Sequence, residues 1–234
     1  MGVPVGYRGT PRETDITDII ASVSEKIGDD PMRSHRFNRG KRKGGDARKQ
    51  LIRSDSRKVY HGSPVYIPRP DTWHSRPIVD FGPGFYVTEY RDYARSMAME
   101  KVKPDSVTGK VHYHMMQYEY NDDLAEDRLD VLHFDESDED WARFIIEHRL
   151  EEYNGREYDI VEGPSADAII GMVVKEYSRQ KDNGRVNWAE IADMFESDKA
   201  RDQILFHTPR SSRRDYLRMT KHWDIYERGP KEDL

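Results

Sequence analysis

The sequence predicts an α+β protein, and three observations carry that expectation. Segments rich in Val, Ile, Tyr and Phe, bounded by Gly, Pro, Asp and Asn, read as strands at 58–61, 84–88, 110–120, 129–134, 158–161, 203–207 and 222–227. Segments at 90–101, 138–152, 167–179, 188–196 and 209–219 have helical apolar spacing and capping signals such as Ser137 and Pro209. The two kinds do not follow the regular strand–helix alternation of a parallel doubly wound sheet, and no internal repeat is visible.

Ahead of the first strand, residues 12–28 predict a short amphipathic helix. Ile16, Ile19, Ile20, Val23 and Ile27 form its apolar stripe, Thr14 or Asp15 caps it, and Gly28 ends it. That stripe needs cover from the main domain, a second copy or another protein, packing on its own domain being the commoner outcome. Residues 31–58 then hold eleven Lys and Arg against Asp46 and Asp55, with Gly40, Gly44 and Gly45 and almost no apolar side chains. Such a segment reads as a flexible linker, since it has too little apolar surface to offset the entropy of ordering. Its charge suits nucleic acid or an acidic partner, and equally a solvated tether resting on its own acidic domain. The division expected is therefore 1–58 as an arm and 59–234 as the domain.

The chain has 234 residues, enough for one medium domain with an appendage, and its 14 Tyr, 7 Phe and 4 Trp supply the bulk for a core. It contains no Cys, which excludes disulfides, thiolate metal sites and a cysteine nucleophile. The N-terminus lacks the apolar core of a signal peptide, Gly6 stands where a myristoylation motif wants Ser or Thr, and no apolar run is long enough to span a membrane. A cytoplasmic protein without a membrane partner is expected.

Chemistry concentrates in two blocks. Val59-Tyr60-His61-Gly62-Ser63-Pro64 ends a strand with an imidazole beside a freely approachable backbone. Asp80-Phe81-Gly82-Pro83-Gly84-Phe85-Tyr86-Val87-Thr88 leads through a turn and strand into the helix containing Asp92-Tyr93-Ala94-Arg95-Ser96-Met97-Ala98. Taken singly, each is more simply a turn. Neither has the spacing of a dinucleotide fingerprint or the Lys of a phosphate loop.

Together and in this order, these blocks resemble the His-Gly-Ser and Phe-Gly-x-Gly-x-Tyr signatures of the ADP-ribosyltransferase fold in its poly(ADP-ribose) polymerase-like branch. Asp202-Gln203-Ile204-Leu205-Phe206-His207-Thr208 stands where that fold has the strand that opens with its catalytic acid. The chain is similar, more closely, to an uncharacterised bacterial and phage family related to these transferases. That family shares Tyr-His-Gly-Ser, Asp-Phe-Gly-x-Gly-Phe-Tyr-x-Thr, a Trp-initiated helix ending in Arg (141–149 here), Tyr-Asp-Ile-Val-x-Gly-Pro (158–164) and Gln-Ile-x-Phe-x-Thr (203–208). The likeness covers about 59–219 and leaves the first 58 residues unmatched.

The resemblance implies a split β-sheet core with flanking helices, NAD as co-substrate, and glycosyltransferase chemistry of the mono-ADP-ribosylating kind. Its catalytic set here would be His61, Tyr86 and Gln203, a His-Tyr-Gln variant of the family's His-Tyr-Glu signature. His61 would bind the adenosine ribose, the Gly62 backbone the nicotinamide carboxamide, and Tyr86 the nicotinamide ring. Ser63, Gly84, Phe85 and Thr88 would complete the NAD-binding set. Arg149 suits a pyrophosphate, although Arg in a last helical turn is slightly better explained as compensation of the helix dipole; Arg76 is a weaker phosphate candidate. Gln203 can bond a ribose hydroxyl but cannot take a proton or offset a cation. Asp80, Glu162 and Asp167 are the carboxylates that can replace what it lacks, because strand alternation turns Asp202 to the other face.

By that analogy the chain is an intracellular toxin or effector, with a protein or nucleic-acid acceptor and an antitoxin or inhibitor engaged through residues 1–58. A silent NAD- or ADP-ribose-binding module and an NAD glycohydrolase are the alternatives. His112 and His114 share a strand face but lack a third ligand at recognisable spacing, so no metal is expected. The acidic run 135–140 reads as a helix start.

Overall fold

The structure, a computed structural model, describes residues 56–73, 78–166, 170–195 and 202–228. The expected helix at 12–28 and the linker as far as residue 55 lie outside the described residues, as do Arg76 and Asp167.

Two sheets form the α+β core. Strand β1 (Arg57–Ser63) pairs antiparallel with β3 (Lys110–Tyr120), which pairs antiparallel with β7 (Leu217–Arg228). The second sheet runs β2 (Phe85–Val87), β6 (Asp202–Phe206), β5 (Ile160–Pro164), β4 (Val131–His133), with only β4 and β5 parallel. Every predicted strand is present. Arg57, counted with the linker in sequence, belongs to β1 together with Lys58. Arg57 explains why: its guanidinium meets Glu162 at 2.5 Å, Asp122 at 3.0 Å and Glu89 at 3.1 Å, so its charge is neutralised inside the fold.

Strand alternation sends each sheet's side chains into different layers. Val59, Met116, Tyr118 and Tyr120 from the first sheet meet Phe85, Val87, Ile160, Ile204 and Phe206 from the second, forming the core between the sheets. On the other side of the first sheet, helix α1 (Arg91–Met99) lays Ala94 and Ala98 on Val111, Tyr113 and Met115. On the other side of the second sheet, α3 (Glu139–Arg149), α4 (Ile170–Asp182) and α5 (Trp188–Asp193) cover Val161 and Leu205 with Trp141, Ile145, Val173, Tyr177 and Ile191. Each such fully buried side chain stabilises by roughly 1.5–3 kcal/mol, so three contiguous clusters account for folding without disulfides.

The structure departs from the sequence reading at three points. The helix expected at 209–219 is a series of turns followed by the start of β7. Ser211 Oγ donates to the Thr208 carbonyl at 2.8 Å and Ser212 Oγ to that of Pro209, local bonds that compete with a helix. Tyr216 and Leu217 then bury in the core between the sheets. A helix not anticipated, α2 (Asp122–Arg128), follows β3, with the Asn121 side chain accepting from the Leu124 amide. Ahead of α3, Asp138 rather than Ser137 is the cap, accepting from the Trp141 amide at 2.9 Å. Among the described residues, no helix is long and apolar enough to cross a membrane.

Candidate functional site

The two sheets join at one point and then part. Tyr60 and Thr88 exchange both backbone hydrogen bonds, at 2.7 and 3.0 Å, as an isolated antiparallel bridge between β1 and the residue after β2. Continuing that register would bond Gly62 to Tyr86, since alternate residues turn their N–H and C=O to the same side. The ladder stops before that pair. The Tyr86 carbonyl instead accepts from His61 Nδ1 at 2.6 Å. An imidazole thus takes the acceptor that the Gly62 N–H would have used, and the Gly62 backbone groups face the fork between the sheets.

His61 is held for this role. Its ring stacks on Phe85 with centroids 4.5 Å apart and planes inclined by 26°. Burial lowers its pKa to about 4, against the weaker opposing effect of its bond to Tyr86. At neutral pH the ring is therefore uncharged. With Nδ1–H donating to a carbonyl, Nε2 carries the lone pair and can accept from a hydroxyl.

Gly62 is required by packing as well as by access. A Cβ there would lie 1.9 Å from the Ala94 carbonyl oxygen, so glycine alone lets α1 lie this close to β1. Gly84 has φ +153, and a Cβ on it would come within 2.6 Å of the Phe206 carbonyl oxygen, so it admits β2 to the side of β6.

Tyr86 faces the opposite side of the second sheet from Phe85, packed beside the cluster under α3 to α5. Its hydroxyl donates to the Gly82 carbonyl at 2.7 Å and accepts from the Phe81 amide at 3.1 Å. Burial, and then the nearby Asp80 charge, raise its pKa well above the usual value. The phenol is committed to the turn before β2, so the hydroxyl is not available to a ligand.

That turn carries Asp80, the hub of the site. Asp80 is 7% exposed and accepts from Arg149 Nε at 3.0 Å, from the Ala166 amide at 3.0 Å and from Gln203 Nε2 at 2.8 Å. Arg149 also reaches the Ile78 carbonyl. The helix-end Arg thus serves an internal ion pair, a role that neither the phosphate nor the dipole reading anticipated. Asp202 is exposed and Gln203 buried, as alternation requires. Of the carboxylates nominated to support Gln203, Asp80 touches it. Glu162 does not: it points to the core between the sheets, where Arg57 and His133 hold it at 2.5 and 3.5 Å. Burial alone would raise the Glu162 pKa, but the His133 hydrogen bond and the Arg57 charge lower it on balance.

The remaining residues are mainly supports. Phe85 is 3% exposed and lies in the core beneath His61. Ser63 is buried and its Oγ accepts from the Val65 amide, shaping the exit from β1. Thr88 Oγ1 donates to the Asp202 carbonyl at 2.7 Å, tying the bridge to β6. Tyr86 and Gln203 therefore share one face, while His61 approaches from the other and meets them through the Tyr86 backbone.

Residues 57–218 match a family described as a protein of unknown function, DUF3990. The chain belongs to this family. The DUF3990 match begins on the first residue of β1 and ends in β7, so it contains the bridge, the fork and the Asp80 hub. No curated protein and no solved structure matches the chain.

Proposed function

We propose that this DUF3990 protein is an NAD-dependent mono-ADP-ribosyltransferase whose dinucleotide lies at the fork between β1 and β2. The observation that carries this reading is the interrupted ladder. A primary carboxamide offers one acceptor and one donor side by side, and the Gly62 N–H and C=O present the complementary pair where His61 has displaced them from Tyr86. A neutral His61 with a lone pair on Nε2 suits a ribose hydroxyl, and the Tyr86 ring face suits nicotinamide.

In this reading the residues bind and compress the dinucleotide while the nicotinamide–ribose bond breaks through a cation-like sugar. Gln203 orients a ribose hydroxyl, and Asp80 supplies negative charge behind it. A charge about 4 Å from a cation is worth roughly 4 kcal/mol at an effective dielectric of about 20, but Arg149 offsets much of it here. The reading extends to a cytoplasmic bacterial or phage toxin or effector, with a protein or nucleic-acid acceptor and an inhibitor bound through residues 1–58.

One observation favours a second reading, a silent NAD- or ADP-ribose-binding module. The Gln203 amide is already engaged and its carboxylate partner already paired. Both readings require NAD or its ADP-ribose part at the fork, which calorimetric titration of NAD and of ADP-ribose into wild type and His61→Ala tests. Saturable binding lost in the variant is expected; equal binding by both would remove the fork from the account.

A further inference from the structure

The outer half of the three-stranded sheet carries a second cluster, on the face shared with His61 but beyond the fork. Strand pairing sets His114 opposite Asp224, and Met116 opposite His222, with His112 one step further out. A bulge makes this possible. The register shifts between Gln117 and Tyr118, leaving Thr220 as the extra residue of β7. Leu217 and Met219 before it, and His222 and Asp224 after it, consequently face the same side.

One ligand-type atom from each of His112, His114 and Asp224 lies within 4.8 Å of the other two. His112 Nε2 is 2.6 Å from Asp224 Oδ1, His114 Nδ1 is 3.6 Å from that oxygen, and His114 Nδ1 is 3.0 Å from His222 Nε2. Nitrogen and oxygen ligands about 2.05 Å from a tetrahedral ion stand about 3.3 Å apart. The two separations to Asp224 Oδ1 bracket that value, while His222 stands outside this three-residue group and meets it at His114. Flanking rings hold the imidazoles: Tyr226 stacks on His112 at 4.1 Å, and Tyr66 lies 4.1 Å from His222.

We propose that His112, His114 and Asp224 form a binding site for a zinc-class divalent cation that staples β7 to β3, with His222 beside it on His114. Imidazole-rich donor sets select zinc and its neighbours, whereas magnesium and calcium want a shell of oxygens. Three protein ligands leave the fourth position of a tetrahedral sphere to water, and ligands from both strands make the ion a cross-link between them. This inference stands independently of the NAD reading.

The test is calorimetric titration of Zn²⁺ into the full chain, with Mg²⁺ as the comparison, beside His112→Ala and Asp224→Ala. These two side chains are 41% and 50% exposed, so both variants keep the core, as circular dichroism checks. One Zn²⁺ per chain is expected, with affinity at least about a hundredfold weaker in each variant, since loss of second-shell partners alone costs 10–100-fold. Zn²⁺, and not Mg²⁺, should raise the Tm of the wild type and leave that of the variants where it was. No saturable Zn²⁺ binding by the wild type, or unchanged affinity in both variants, would overturn the proposal.

Discussion

The side-chain amide of Gln203 donates to the carboxylate of Asp80 across 2.8 Å, joining the second residue of β6 to the turn before β2. This bond constrains what can stand at position 203. Gln203→Glu would set two carboxylates in contact and delete the donor, which destabilises by about 3 kcal/mol. The double variant Asp80→Asn with Gln203→Glu exchanges donor and acceptor within this pair and removes the clash of two carboxylates, leaving Arg149 the carbonyl oxygen of the new side-chain amide. Urea denaturation is expected to show the double variant more stable than Gln203→Glu alone; strictly additive losses would mean that the two residues are not coupled.

Gly62→Ala forces a methyl group against the Ala94 carbonyl of α1. Overpacking of this kind costs 1–3 kcal/mol or more where the obstacle is backbone. The Tm is expected to fall by several degrees, and an unchanged Tm would show that α1 moves freely away from β1.

Tyr86→Phe removes a hydroxyl that bonds Gly82 and Phe81 but keeps the ring. A stability loss of about 1–2 kcal/mol is expected, with NAD affinity close to wild type, while Tyr86→Ala loses NAD binding. Equal NAD affinity in the two variants would contradict a stacking role for the ring.

His61 has a folded pKa near 4 against an ordinary value of 6.5. Between these values the unfolded chain takes up a proton that the folded chain refuses, so stability is present above pH 6.5 and is lost as pH falls towards 4. A shift of this size is worth about 3 kcal/mol. His148, also lowered to about 4 by burial, acts in the same direction, whereas Glu147, raised by burial to about 7, acts oppositely between its unfolded and folded values. Urea midpoints at pH 7 and pH 4.5 should therefore differ less for His61→Phe than for wild type. The same difference in both would show that His61 titrates normally.

Much of this arrangement was legible in sequence where local pattern and tertiary need agree. All seven strands announced themselves through β-branched and aromatic runs, and Gly62, Tyr86 and Gln203 fell on the elements expected of them. Reading failed where long-range pairing decides. The Arg-rich stretch after Pro209 has helical composition, yet Leu217 gains more by pairing with Tyr120 and burying in the core. The bulge at Thr220 changes which residues of β7 face inward, so Asp224 could not be matched to His112 and His114 from spacing. Arg149 has an ordinary helix-end position in sequence, and only the turn at 78–82 reveals Asp80 as its partner. The start of α2 did carry a signal, since Asn121 followed by Asp122 and Asp123 is a standard N-terminal pattern.

The central claim is that the fork between β1 and β2 cleaves NAD. Release of nicotinamide from NAD by the purified chain, with and without cell lysate and beside Gln203→Ala, tests it most directly. Release that requires both lysate and Gln203 is expected of a transferase acting on a macromolecular acceptor. No release from protein that still binds NAD would contradict transfer and leave a binding module in its place.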